Sequence, residues 1–237
     1  MTASACRSPA SCPVPAPDAV DLRRLRLAHL EPGRLLDRVF PTSHGVLEFN
    51  ASGRGDTRFA PRGGGKAHLY AGDTRTVALL EAVFHNVHQS TPRLIYAATD
   101  LAGRSLGRMR VEARIPLVDL RNGALERLGL HRSQLTATTA AHYPCTRAWA
   151  EALVGRKIGG ITPRGLLWDS RVAELAGADS LLLADLMEGP TSEACVLYGD
   201  AGIELSDAGG GFDDLVGATQ GRLLIEQIAE QLGATIM

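Results

Sequence analysis

Arg58, Tyr70 and Glu81 lie close together in the chain, and their chemistries are complementary: a guanidinium that binds anions, a phenol with an apolar ring, and a carboxylate. The position of Glu81 is the most telling. From Thr74 the sequence reads T-R-T-V-A-L-L-E-A-V-F-H-N-V-H, and Val77, Leu80, Glu81, Phe84 and His88 recur at helical spacing on one side. A carboxylate on the apolar stripe of a helix is buried, and burial is costly unless a partner or a ligand compensates. Either a nearby arginine pairs with it or it serves a ligand. The glycines before and after Lys66 let the backbone approach whatever these side chains hold. Further on, Ser170 follows the apolar run Gly165-Leu166-Leu167-Trp168 and precedes Arg171. That places it at a strand end opening into a cleft, or as the cap of a turn or of a helix starting near Val172. Together these residues suit an anionic ligand and one catalytic carboxylate.

Spacing argues against several other chemistries. Ser170 is not in a G-x-S-x-G elbow. Gly63-Gly64-Gly65-Lys66 is followed by Ala67, so the phosphate-loop pattern is incomplete. The seven histidines form no H-E-x-x-H motif; His85 and His88, three apart on the Glu81 helix, have no carboxylate or cysteine cluster beside them. Cys6, Cys12, Cys145 and Cys195 show neither disulfide-framework nor zinc-ligand spacing and read as reduced thiols, so no metal is expected. With 25 basic and 26 acidic side chains, the 237-residue chain carries no electrostatic footprint for nucleic acid or for an anionic membrane surface. No apolar run is long enough to span a membrane, since Asp185 breaks the longest candidate, residues 181–187. Prolines at 9, 13, 15 and 17 interrupt the N-terminus where a signal peptide would need an apolar core. A cytoplasmic protein is expected.

The elements that must position these groups are a mixture of strands and helices without strict alternation. The fold class expected is therefore mixed α/β (α+β) rather than a doubly wound sheet. Residues 1–18 read as a disordered leader and 19–33 as an N-terminal helix stopped by Pro32-Gly33. Residues 34–205 form the main domain, and 206–237 a C-terminal loop and amphipathic helix. Within the domain, residues 34–40 lead into the core with Arg38 among apolar neighbours, and a long glycine-rich loop with a short strand near 47–49 follows. Strands are expected at 93–99, within 108–120, within 158–168 and at 195–198, with 203–205 pairing beside the last. Helices are expected at 125–130, 143–154 and 223–232.

The ordered set Arg38-Val39-Phe40, Arg58-Phe59-Ala60-Pro61, Leu69-Tyr70-Ala71, Ala78-Leu79-Leu80-Glu81 and Gly165-Leu166-Leu167-Trp168-Asp169-Ser170-Arg171 resembles the RES domain family, named for its Arg, Glu and Ser. The run Thr146-Arg147-Ala148-Trp149-Ala150-Glu151-Ala152-Leu153 is similar to the helix those proteins carry before the serine strand. The resemblance covers roughly residues 34–200. It implies a fold like that of ADP-ribosyltransferases and a bacterial toxin, neutralised by an Xre-type antitoxin, that cleaves NAD at the nicotinamide–ribose bond by hydrolysis or phosphorolysis. NAD is then the substrate, inorganic phosphate a possible co-substrate, and no further cofactor is needed. By the same resemblance, Arg38 and Arg58 bind pyrophosphate or the attacking phosphate, and Tyr70 stacks on or hydrogen-bonds the nicotinamide riboside. Glu81 stabilises the oxocarbenium-like centre, Ser170 hydrogen-bonds near the ribose, and Trp168 and Arg171 complete the substrate site. Many relatives carry Gly-Arg-Trp-Asn where this chain has Thr57-Arg58-Phe59-Ala60, so Arg54 competes with Arg58 for the loop position, as Arg34 does with Arg38 for the first. Transfer of ADP-ribose to a macromolecule and a silent binding domain are the alternatives, and the leader and tail are surfaces for a partner or a second subunit.

Overall fold

A computed structural model describes residues 6, 8–53, 57–61, 66–84, 95–170, 192–199 and 202–237. Its centre is a mixed sheet of eight strands: β1 (Leu27–Leu30), β2 (Leu35–Pro41), β3 (His68–Gly72), β5 (Arg104–Val111), β6 (Ile115–Asp119), β7 (Gly165–Asp169), β8 (Glu193–Tyr198) and β9 (Leu205–Asp207). Their spatial order is β1-β6-β7-β8-β3-β2-β5-β9, and all neighbours are antiparallel except the parallel pair β6–β7. Two short strands, β4 (Ile95–Tyr96) and β10 (Thr235–Ile236), form a separate parallel pair. The helices are α1 (Arg75–Ala82), α2 (Ala98–Leu101), α3 (Asn122–Arg127), α4 (Tyr143–Leu153) and α5 (Thr219–Gln231). The mixed α/β class expected from the sequence is the one found.

The centre of the sheet is buried on both faces, as the all-buried pattern of β8 requires, while the edge strands β1 and β9 are partly open. Alternation sends Ala194, Val196 and Tyr198 to one face, where they pack with Val77, Leu80, Trp149 and Ile225 from α1, α4 and α5. Cys195 and Leu197 go to the other face, against Leu36, Leu69, Met109 and Leu117, with Val46 and Phe49 of the loop after β2 covering them. Trp149, Trp168, Phe59 and Phe84 are fully buried on the helical side. Each contributes roughly 1.5–3 kcal/mol relative to exposure.

α1 starts where Thr74, at the N-cap, accepts a hydrogen bond from the Val77 amide at 3.2 Å. It lies hard against β3: a Cβ on Gly72 would sit 2.6 Å from the Ala78 nitrogen, so only glycine permits this approach. The close packing fixes where the last turn of α1, and hence Glu81, meets the sheet.

Several expectations are corrected. The N-terminal helix expected at 19–33 is instead two 3-10 turns, Pro17–Ala19 and Leu22–Arg24, followed by β1. Leu22, Leu25, Leu27 and Leu30 fit both helical and extended periods, and pairing of Leu27 with Val118 through Leu30 with Ile115 decides for the strand. Described leader residues pack on the domain rather than being disordered: Val14 is buried, and the Pro15 carbonyl accepts a hydrogen bond from the Trp149 indole at 2.8 Å. Residues 47–49 form no strand; the extended contact there is the bridge between Asn50 and His68. Among the described residues of 93–99, Ile95–Tyr96 is a strand, and α2 follows. Residues 108–120 belong to two strands, β5 and β6, rather than one. β9 pairs with β5, not with β8, because its register follows Met109 to Val111.

Candidate functional site

β2 and β3 are sheet neighbours that pair at one position, Asp37 with Gly72. Continuing that register would set Val39 opposite Tyr70, and no such pair forms; further on, His68 pairs with Asn50 through two main-chain hydrogen bonds of 2.8 and 3.1 Å. The sheet is therefore open between β2 and β3, closed at both ends. A cleft of about 650 Å³ fills this opening. Its apex is braced by Asp37, almost wholly buried and held by Arg108 through contacts of 3.0 Å to each carboxylate oxygen.

Arg38, Val39 and Phe40 line the cleft from β2, His68, Tyr70 and Ala71 from β3, and Glu81 from α1; Arg58, Tyr143 and Trp168 complete the wall. Glu81 is not sealed in the core as its stripe suggests. Its side chain keeps 17% of its surface open, while Val77, Leu80 and Phe84 beside it are fully buried. One carboxylate oxygen, Oε1, accepts a hydrogen bond of 2.7 Å from Ser170 Oγ. The other, Oε2, lies 3.9 Å from Nη1 of Arg58. Arg58 is itself positioned from three sides. Its Nη2 donates to the Thr138 carbonyl at 3.0 Å, its guanidinium stands 5.6 Å from the Tyr143 ring centroid, and its own carbonyl accepts from the Thr146 hydroxyl. Its Nε is buried without an acceptor among the described residues, as is the indole N–H of Trp168. Buried donors left open in this way are costly, and they cluster where a ligand supplies the acceptor.

Arg38 donates to the Val46 carbonyl at 2.7 Å and lies 5.4 Å from the Phe40 ring centroid. Burial pushes its pKa down to about 10, so it remains a cation at neutral pH. Burial pushes the Tyr70 phenol up to about 12 and keeps it neutral. The Tyr70 oxygen accepts hydrogen bonds of 3.0 Å from the Thr57 hydroxyl and from the Phe59 amide, so it organises the loop that carries Arg58. Its ring meets Trp168 edge-on at 6.3 Å and His68 edge-on at 5.7 Å, giving an aromatic wall beside the carboxylate. Burial lowers the pKa of His68, which is therefore a neutral imidazole at neutral pH.

Arg38, Arg58, Tyr70, Glu81 and Trp168 are thus brought to one cleft. Ser170 is fully buried and does not line the cleft; it reaches the site through Glu81. Of the competing arginines, Arg34 is turned away and pairs with Glu193 at 2.6 Å. Arg54, Arg171, His85, His88 and Gly63 to Gly65 lie outside the described residues. Sequence reasoning missed His68, Thr138 and Tyr143. His68 could have been found, since two residues before Tyr70 on a strand is the same face. Thr138 acts through its main chain, which leaves no side-chain signal. Among the described residues, those able to group around a metal ion are Cys6, Cys12 and Cys145, none of which lines the cleft. No helix among the described residues is long and apolar enough to cross a membrane.

The fold is thus an α/β domain whose open sheet sets two buried guanidiniums and one partly exposed carboxylate in an aromatic-walled cleft. The chain belongs to the RES domain family, whose profile matches residues 34–191. In structure it is similar to a chain of the M. tuberculosis MbcT-MbcA toxin-antitoxin complex, with 15% identity, 78% of this chain and 87% of that chain covered, and a TM-score of 0.48. No match was found among curated proteins.

Proposed function

We propose that this chain cleaves the nicotinamide–ribose bond of NAD, with water or inorganic phosphate as the attacking group, and that it acts as a toxin restrained by an antitoxin protein. Family membership supports the reaction class, and one observation carries it to these residues: the Glu81 carboxylate, partly open to the cleft, held by Ser170 on one oxygen and approached by Arg58 on the other.

The chemistry asks for little else. Nicotinamide leaves as a neutral molecule, taking the electron pair of the C–N bond, so no strong general acid is needed. Positive charge then develops on the ribose, and a fixed carboxylate beside it lowers the barrier by electrostatic preorganisation. In this reading Glu81 faces the ribose, and Ser170 holds its orientation. The flat nicotinamide enters beside Tyr70 and Trp168, where the unpaired edges of β2 and β3 at Val39 and Tyr70 offer N–H and C=O groups to its carboxamide. Arg38 and Arg58 take the pyrophosphate or the incoming phosphate, for which a guanidinium fork is the matching donor set. Attack by water yields ADP-ribose and releases a proton; attack by phosphate yields a ribose 1-phosphate ester.

Chromatography of NAD and its products, with purified protein in the presence and absence of phosphate, tests this. Loss of NAD with release of nicotinamide is expected for the wild-type chain and not for Glu81→Gln. Unchanged NAD under both conditions overturns the reading, and label from NAD transferred to macromolecules of a lysate would replace it with a transferase. For the biological role, expression alone is expected to arrest growth, with relief on co-expression of the antitoxin.

A further inference from the structure

Cys6 and Cys12 precede the first strand, Cys145 lies in the first turn of α4, and more than a hundred residues separate the pair from the third. The fold nevertheless gathers them. Their three sulfurs lie within 4.8 Å of one another, with Cys12 Sγ and Cys145 Sγ 3.5 Å apart. His142 joins them: its Nδ1 is 3.6 Å from Cys6 Sγ. All three thiols are free and half-buried, and so is the imidazole.

We propose that Cys6, Cys12, Cys145 and His142 form a structural zinc site. A tetrahedral zinc with Zn–S distances of about 2.3 Å sets its sulfurs roughly 3.8 Å apart and a sulfur and an imidazole nitrogen roughly 3.5 Å apart. The Cys12–Cys145 and Cys6–His142 separations are already of this size; the imidazole stands outside the group of three sulfurs, so it must swing from Cys6 toward the other two to close the shell around an ion. Three thiolates and one imidazole, with no carboxylate, are a soft donor set that suits zinc rather than magnesium or calcium. Four protein ligands leave no open position, which makes the site structural. His142 and Cys145 are three residues apart at the start of α4, so they present donors on one side of the chain, and the leader brings the other two.

The position gives the site a role. Zinc would fasten the leader to α4, adding to the Pro15–Trp149 hydrogen bond and the burial of Val14. α4 also carries Tyr143 and Thr146, which hold Arg58. One ion would therefore order both the chain before β1 and the helix behind the cleft arginine.

The test uses the full-length chain kept reduced. Metal analysis is expected to give one zinc per chain. Replacement by cobalt is expected to give the visible bands of a tetrahedral ion with a near-ultraviolet thiolate-to-cobalt band. Cys12→Ser and Cys145→Ser, each at a half-buried position that tolerates serine, are expected to lose stoichiometric cobalt while keeping the circular dichroism of the wild type. His142→Gln is expected to weaken zinc binding at least about tenfold, the lower range for losing even an outer partner of a metal site. Zinc should raise the unfolding temperature of the wild type and of neither cysteine variant. A reduced protein that shows no cobalt spectrum, cobalt binding that the cysteine variants leave unchanged, or a Cys12–Cys145 disulfide in protein taken from a reducing cytoplasm would overturn the proposal.

Discussion

Among the carboxylates that sit beside arginines, Glu193 and Glu81 are treated in opposite ways. Glu193, on the sheet face away from α1, receives Arg34 at 2.6 Å and Arg121 at 2.7 Å, and Arg121 also grips Asp119 through two contacts of 2.9 Å. The hydrogen bond from Arg121 to Asp119 raises the arginine's pKa further above its ordinary value. Every oxygen of Glu193 is satisfied at short range. Glu81 instead stands 3.9 Å from its arginine, whose Nε has no acceptor among the described residues, and keeps part of its surface open. The first arrangement spends its electrostatics on holding strands and loops together. The second holds charges apart, short of full pairing, which leaves their fields available to a ligand.

The comparison breaks most visibly at Glu81. Glu81→Gln keeps the Ser170 hydrogen bond and the shape but removes the charge, and kcat for NAD loss is expected to fall roughly 10²–10³-fold. Its unfolding midpoint should move by no more than about 3 °C. Glu193→Ala should do the reverse, lowering stability by about 2 kcal/mol in urea unfolding while leaving kcat within about twofold. The cost stays at that level because Arg34 and Arg121 are 29% and 38% exposed and water takes over part of their solvation. Ser170→Ala removes the group that aims Glu81, and about a tenfold fall in kcat with little change in KM is expected, from loss of one hydrogen bond to a charged group. The smallest effect concerns His68. Its pKa is lowered by burial in the folded state, so the unfolded chain binds the proton more readily and stability falls as the pH drops through the ordinary value of 6.5. Urea unfolding at pH 7.5 and 5.5 should show this loss in the wild type, and His68→Gln should show less of it, with carboxylate effects confined to lower pH.

How much of this was legible follows from distance along the chain. Arg58, Tyr70 and Glu81 could be read because a single loop, strand and helix carry them and the helical period exposes the misplaced carboxylate. The contact between Ser170 and Glu81 spans 89 residues, so no local pattern encodes it; only the order of the family's short motifs joined the two. The strand at Leu27–Leu30 is hidden for the same reason, since its partner β6 is far downstream and a leucine every two or three residues suits either period. The cysteine cluster is the extreme case: Cys12 and Cys145 touch across 133 residues, and spacing rules that look for neighbours have nothing to detect.

The interrupted seam between β2 and β3 has a further consequence. Since main-chain hydrogen bonds close it at Gly72 and again at His68, its length is set by four residue steps, about 13 Å of strand. Such an aperture is framed like a window, and exchanging side chains re-glazes it without enlarging it. Relatives that accept a different ligand would be expected to differ in the panes, at positions such as 39, 70 and 168. A larger guest would require the frame itself to be recut, by lengthening the segment that ends in Asn50.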